Sequence, residues 1–170
     1  QNPLRDEAIL WVLLDTGLRA TELCSLKFGD LDMQGRLLRV EGKGGKKRSV
    51  PFGKTAARAL WNYLKHEGRE EEDYLFESMR SESLTKDSLL LLLKRLNRIA
   101  GIKSVRVSPH TFRHTFAVSF LRNGGNQFSL MQILGHTNIR MTARYVQLAQ
   151  ADVQAQHRQF SPADRLKEKK

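Results

Sequence analysis

Two arginines, two histidines and one tyrosine in this sequence have the side-chain types needed for chemistry on a phosphodiester. His110 and Arg113 lie three residues apart at the start of a predicted helix, where they share a face and the helix dipole favours an anion. Arg19 and His136 each lie at a predicted turn, and Tyr145 follows nine residues later. Guanidinium groups offer paired hydrogen-bond donors to phosphate oxygens. A phenol is only about 0.1% ionised at pH 7, so it acts as a nucleophile when a base or a positive electrostatic field assists its deprotonation.

The elements that must position these residues are predicted to be mainly helical, with one small antiparallel hairpin. Asn2-Pro3 and Ser108-Pro109 are typical helix starts, and Gly17 and Gly135 are typical helix ends. The glycine-rich turn 42–45 separates two apolar–polar segments, as in a hairpin. The predicted helices are 3–16, 21–26, 55–66, 85–100, 108–122, 129–135 and 139–148, and the predicted strands are 36–41 and 47–52.

The distribution of charge predicts a partner that is a polyanion. The chain has 29 Lys and Arg against 18 Asp and Glu, a net charge of +11. No acid occurs between Gly42 and His66 or between Ser88 and Ala151, whereas the acids concentrate between Glu67 and Asp87. Such segregation favours a surface at positive potential. A membrane surface is a poorer match, because the bases are not gathered on one amphipathic helix.

Neither a metal nor a nucleotide cofactor is expected. Metal-assisted phosphodiester cleavage needs clustered carboxylates, which the basic half of the chain lacks. His110 and His114 have a spacing that suits zinc, but Thr111 replaces the glutamate of the metalloprotease pattern and no third ligand is evident. The segment GKGGKK lacks the spacer and the Ser or Thr of a phosphate-binding Walker sequence.

Length and composition indicate one ordinary globular domain with a tail. The 170 residues contain a single cysteine, Cys24, which excludes an internal disulfide and fits a reducing, cytoplasmic environment. No apolar run approaches the roughly 20 residues of a transmembrane helix. Because the chain begins at Gln1 and not at Met, we expect it to be a fragment.

Four sequence boxes together resemble the catalytic domain of the tyrosine recombinases, the phage integrase family. They are TGLRATEL, GKGGKKR, HTFRH and LGHTNIRMTARY, in the order found in that family. The resemblance implies the family's catalytic-domain fold over residues 1–148 and a C-terminal tail, 149–170, that docks on a neighbouring protomer. It also implies that the family's N-terminal, core-binding DNA-clamping domain is absent from this fragment.

The resemblance implies a role for each residue of the set. Tyr145 would attack the scissile phosphate to form a 3′-phosphotyrosyl bond, and Arg19 and Arg113 would hold the non-bridging oxygens. His136 would hydrogen-bond the phosphate, and His110 would act as base or positioning group. Of the hairpin lysines, Lys43 is favoured as the acid for the leaving 5′ oxygen, with Lys46 and Lys47 left as alternatives. The role implied for Glu22 is to orient the site, although a simple ion pair between Arg19 and Glu22 is the alternative. The predicted DNA contacts are Lys46, Lys47, Arg48, Arg140 and Arg144.

The implied function is site-specific recombination of double-stranded DNA through a Holliday junction, without metal or ATP. The resemblance further implies a homotetramer on DNA, with the isolated fragment a monomer, and a cytoplasmic location at the nucleoid. Two alternatives remain open on the sequence. One is a type IB topoisomerase, which shares the tyrosine chemistry, and the other is an inactive DNA-binding module that makes phosphate contacts alone.

Overall fold

The N-terminal helix begins and ends at the residues that its sequence predicts. In the computed structural model, which describes residues 2–42, 44–65, 68–78, 82–103, 105–149, 157, 158, 161 and 163, helix α1 spans Pro3–Thr16. The Asn2 side chain accepts a hydrogen bond from the Arg5 amide. Gly17 ends the helix in the left-handed region, with φ 61° and its amide bonded to the Leu13 carbonyl. The short helix α2, Ala20–Ser25, follows at once, so Arg19 lies between two helices.

A three-stranded antiparallel sheet follows a single 3₁₀ turn at Phe28–Asp30. Its strands are β1 (Leu31–Asp32), β2 (Leu37–Glu41) and β3 (Lys47–Pro51), in the order β1-β2-β3. The predicted hairpin is β2–β3, in which Leu38 pairs with Val50 and both are buried. Strand β1 was not predicted, because two residues are too few to show an alternating pattern.

Five further helices complete the described chain, and each agrees with a predicted helix within two residues at its start. Side-chain caps fix three of these starts: Thr85, Ser108 and Asn126 each accept a hydrogen bond from a first-turn amide. The helices are α3 (Lys54–Leu64), α4 (Lys86–Ile99), α5 (Pro109–Arg122), α6 (Gln127–Leu134) and α7 (Ile139–Ala149). The predicted architecture, mainly α with a small antiparallel sheet, is therefore confirmed. Most of the predicted tail, 149–170, lies outside the described residues.

Two hydrophobic cores meet beside the end of α1. The larger one gathers apolar side chains of α1, α2, α3, α4 and the sheet, and the smaller one belongs to α5, α6 and α7. At their junction the ring of Phe116, on α5, lies directly against Gly17. Among the described residues, no helix combines the length and the apolar character that crossing a bilayer would require.

We expect Gly17→Ala to destabilise the protein by about 1–3 kcal/mol. A Cβ at Gly17 would lie 2.5 Å from Phe116 Cδ1, and the backbone there has a φ of +61° that L side chains rarely adopt. Urea denaturation measures the loss. Gly68→Ala is the matched control, because its Cβ meets no atom within 4 Å and should leave the midpoint unchanged. Equal effects of the two substitutions would contradict this account of the junction.

Candidate active site

A cavity of about 470 Å³ brings most of the predicted catalytic residues together. The residues that line this cavity are Arg19, His110, Arg113, His114, His136, Arg140, Met141, Arg144 and Tyr145. Five of the six predicted catalytic residues are thus in one place, with two of the predicted DNA contacts beside them. The sixth, Lys43, lies outside the described residues. Among the residues that the structure describes, no group of three His, Cys, Asp or Glu could hold a metal ion.

Arg113 is a buried cation held by backbone carbonyls. Its Nη1 donates to the Gly17 carbonyl at 2.7 Å, and its Nη2 donates to the Leu134 carbonyl at 2.8 Å. These bonds tie α5 to the ends of α1 and α6. Burial, and next the charge of Arg19, lower the pKa of Arg113 to about 10, so the group stays charged at neutral pH. Its partners here are neutral, so the positive charge remains available to an anion.

His136 is bonded at both ring nitrogens. Arg113 Nη2 lies 3.0 Å from His136 Nε2, and Thr142 Oγ1 lies 2.9 Å from His136 Nδ1. Since a guanidinium can only donate, Nε2 accepts, and Nδ1 carries the proton that is donated to Thr142. Burial first, and then the charge of Arg113, lower the pKa of His136 to about 4, so the imidazole is neutral at pH 7.

Glu22 fixes Arg19 at the start of α2. Its Oε2 accepts from the Arg19 amide at 2.8 Å, as in a capping box, and its Oε1 accepts from Arg19 Nη1 at 2.8 Å. The Arg19 side chain remains 38% exposed and lines the cavity. The ion pair that the sequence left as an alternative is therefore present, and it leaves Arg19 open to the cavity.

Arg48, which the sequence predicts to contact DNA, bonds to groups of the protein itself, although it also lines a cavity beside Lys46. Its Nη1 and Nη2 donate to the two carboxylate oxygens of Glu22 at 2.9 and 3.0 Å, and its Nε donates to the Ile133 carbonyl at 2.9 Å. The side chain is only 15% exposed, because it points into the protein. Arg48 thus ties β3 to α2 and to the end of α6. It requires a glycine at 135, where a Cβ would lie 3.0 Å from Arg48 Cζ and the φ is +63°.

Tyr145 lies on α7 and packs in the smaller hydrophobic core. Its ring lies nearly parallel to that of His136, with an interplanar angle of 11° and centroids 6.3 Å apart. The ring of His114 lies 5.5 Å from Tyr145 on another side, tilted by 57°. The residue is 9% exposed. Within the described part of the chain the phenol hydroxyl makes no hydrogen bond, so it is available to a ligand in the cavity.

Two neighbouring cavities extend the basic surface on either side of Arg19. One of about 630 Å³ contains Lys46 and Lys47. The other, of about 470 Å³, contains Lys86 and Arg106. Arg19 lines all three cavities, and we refer to their combined lining, in which Asp87 is the one carboxylate, as the cationic groove.

The sequence interpretation missed three residues of this groove, Lys86, Arg106 and His114, and also the buried Thr142, which bonds to His136. Lys86 and Arg106 belong to no motif: Lys86 lies at the start of α4 and Arg106 in the segment before α5, and only the fold brings them to one cavity. His114 was considered only as a zinc ligand. Thr142 has a visible signal, since it is the threonine within the LGHTNIRMTARY box. Its position one turn before Tyr145 on α7 could have marked it as a residue of the site.

We expect Glu22→Gln to lower the free energy of unfolding by about 3 kcal/mol at pH 7, because it breaks a buried ion pair shared by two arginines. Burial raises the pKa of Glu22, but hydrogen bonds from Arg48 and the Arg19 backbone outweigh burial and bring it below the ordinary 4.5. The stabilisation from this lowered pKa is therefore fully present above pH 4.5 and is lost as the pH falls through the lower folded value.

Denaturation curves at pH 7 and in the acid range measure this dependence. The difference between wild type and Glu22→Gln should shrink at acid pH, whereas Glu7→Gln, an exposed change on α1, should follow the wild type at every pH. A difference that does not depend on pH would contradict the ionised state assigned to Glu22.

Comparison with known proteins shows the family and the fold to which this chain is similar. The sequence profile of the phage integrase family matches residues 1–152. The tyrosine recombinase XerD of Listeria innocua is 36% identical over 165 residues, which cover 94% of this chain and 55% of XerD. The crystal structure of XerA recombinase is similar with a TM-score of 0.80 at 36% identity, covering 94% of this chain and 59% of XerA.

The Tn1549 transposon integrase, solved in complex with circular intermediate DNA, gives a TM-score of 0.69 at 26% identity, covering 81% of this chain and 54% of the integrase. The chain thus spans a little over half the length of these relatives. The fold that the four boxes predicted is the fold of these recombinases. Since the profile match covers nearly all of the chain and XerD shares more than a third of its residues over that length, this chain belongs to the phage integrase family.

Proposed function

We propose that this chain is the catalytic part of a site-specific tyrosine recombinase that cuts and rejoins double-stranded DNA. The observation that carries the proposal is the placement of the Tyr145 phenol against His136 in a cavity that also holds Arg19 and Arg113. A nucleophile, two guanidinium groups and an imidazole are the groups that transesterification of a phosphodiester requires without a metal.

In the proposed reaction, the scissile phosphate is bound between Arg19 and Arg113. Both side chains line the cavity, and a planar guanidinium offers paired donors to two phosphate oxygens. Attack on phosphorus concentrates negative charge on the non-bridging oxygens, so donors held in place by Glu22 and by backbone carbonyls stabilise the transition state more than the ground state. Loss of one such donor costs on the order of a hundredfold to a thousandfold in rate.

The covalent step is an exchange of esters. The Tyr145 oxygen forms a bond to phosphorus, the bond from phosphorus to the 5′ oxygen breaks, and the phenol proton passes to a base. His110, which lines the same cavity, is our candidate for that base or for a positioning group. Lys43 is our candidate for the acid that protonates the 5′ oxygen, on the strength of the GKGGKKR box alone. Attack of a 5′ hydroxyl on the phosphotyrosine then restores the strand, so no ATP is consumed.

The cationic groove is our candidate for the DNA surface. Arg140 and Arg144 are exposed beside Tyr145, and Lys46 and Lys47 lie on the other side of Arg19. We add Lys86 and Arg106, which lie beside His110. The solved complex of the Tn1549 integrase with DNA supports DNA as the partner.

The assembly that we propose follows the family pattern. Residues 1–148 would act with an N-terminal clamping domain in the whole protein, and the segment 149–170 would dock on a neighbouring protomer of a tetramer on DNA. The isolated chain would be a monomer located with the DNA in the cytoplasm. Truncation of 150–170 tests the docking, because unchanged assembly on DNA would exclude it.

We expect wild-type protein to form a covalent adduct with a nicked duplex that traps the intermediate, and Tyr145→Phe to form none. Only the phenol hydroxyl is removed, so DNA binding should be retained. Denaturing electrophoresis of labelled DNA detects the adduct, and Tyr74→Phe, at a tyrosine outside the cavity, serves as the control that keeps it. Adduct formation by Tyr145→Phe would exclude this nucleophile, and no adduct with wild type would favour the inactive DNA-binding module.

We expect DNA affinity to fall with salt in proportion to the phosphates contacted. Replacing Arg140 and Arg144 together by Ala should reduce the slope of log affinity against log salt by about 1.8, or about 0.9 for each phosphate contact. Replacing Lys54 and Arg58, exposed on α3 and outside the three cavities, changes the net charge equally and should leave the slope unchanged. Equal slopes for both double variants would argue against the groove as the DNA surface.

A further inference from the structure

The hydrogen bonds of His136 in the structure conflict with the role that the resemblance to the tyrosine recombinases implies for it, which is to donate a hydrogen bond to the scissile phosphate. Its Nδ1 faces Thr142, which is fully buried, so only Nε2 can reach a phosphate in the cavity. That nitrogen now accepts a hydrogen bond from Arg113, and a nitrogen that accepts has no proton to donate to a phosphate oxygen. DNA binding must therefore change the protonation of the ring at Nε2.

There are two ways to place a proton on Nε2. The ring can take up a second proton and become an imidazolium, or it can remain neutral and shift to its other tautomer. The first is disfavoured here, because Arg113, Arg19 and Arg48 surround the ring with positive charge and burial penalises an ion. The second requires a partner for Nδ1 that can accept a hydrogen bond in one state and donate one in the other.

A hydroxyl group meets this requirement, since it carries one donor and two acceptor sites on the same oxygen. A carboxylate or carbonyl in its place would only accept, and an amide N–H would only donate. Thr142 Oγ1 lies 2.9 Å from Nδ1, and it is held there because Thr142 is on α7, one turn before Tyr145. Rotation about one bond reverses the direction of its hydrogen bond.

We propose that Thr142 is a positioning residue that allows His136 to exchange between two neutral tautomers, and this rests on the proposed function. In the free protein, Nδ1–H donates to Thr142 and Nε2 accepts from Arg113. With the scissile phosphate bound, the Thr142 hydroxyl donates to Nδ1 and Nε2–H donates to a phosphate oxygen. One proton leaves Nδ1 and one is taken up at Nε2, both exchanged with water, so the charge of the protein does not change.

Three variants separate this role from a structural one. Thr142→Val keeps the shape of the side chain without the hydroxyl, Thr142→Ser keeps the hydroxyl, and Thr115→Val makes the same change at an exposed position of α5. At saturating nicked duplex, we expect Thr142→Val to cleave about 100-fold more slowly than wild type, the loss typical of one preorganised donor. Thr142→Ser and Thr115→Val should stay within a few-fold, and DNA affinity should be unchanged in all three. Equal loss in Thr142→Ser and Thr142→Val would overturn the proposal.

The ring nitrogens report the tautomer directly. In ¹⁵N spectra of the free protein, we expect the His136 signals of a protonated Nδ1 and a bare Nε2, and the reverse when Tyr145→Phe protein is bound to an intact duplex. Protonation of both nitrogens on DNA, or no change on DNA, would overturn the tautomer exchange while leaving the recombinase assignment intact. Failure of the recombinase assignment would instead be seen as no adduct with wild-type protein.

Discussion

The site depends on the guanidinium of Arg113, a buried cation that bonds to no carboxylate among the residues that the structure describes. The guanidinium of Arg113 is satisfied by two backbone carbonyls and a neutral imidazole, and its bonds join the ends of α1 and α6 to α5. A short distance away, Glu22 is shared by Arg19 and Arg48. Two guanidinium groups therefore share one carboxylate and the third has none, so an excess of positive charge lies beside the cavities that Arg19 lines. A phosphate is the ligand whose charge and shape match that excess.

This arrangement explains why two glycines occur within the motifs. Gly17 allows the chain to leave α1 in the left-handed conformation and to offer its carbonyl to Arg113 while Phe116 packs over its Cα. Gly135 ends α6 in the same conformation and leaves room for the Arg48 guanidinium. Each glycine thus accommodates an arginine that is distant in the sequence, Arg113 at Gly17 and Arg48 at Gly135. The hydrogen bonds of these two arginines connect the elements of the larger hydrophobic core to those of the smaller one.

Signals from neighbouring residues were sufficient to predict most of the helices and strands and to select the candidate side chains of the site. Caps such as Asn2, Thr85 and Ser108 determine helix starts through bonds within one turn, so they are readable from neighbouring residues. The direction in which an arginine side chain points cannot be predicted from neighbouring residues, because it depends on partners that are distant in the chain. Arg48 was predicted to contact DNA, but its partner Glu22 lies 26 residues away, and only the folded sheet reveals the pair. The same limit applies to Lys86 and Arg106, whose position depends on how α4 and α5 meet.

The absence of acidic residues from 88 to 151 has a consequence for the fate of the covalent intermediate. This stretch supplies His110, Arg113, His136 and Tyr145, and the nearby Glu22 is held by two arginines. In the proposed reaction, a water molecule beside the phosphotyrosine therefore finds no carboxylate from this stretch to deprotonate it. Hydrolysis would leave a break in the strand, and of the groups that line the cavity of Tyr145 only an imidazole, such as that of His110, is available as its general base.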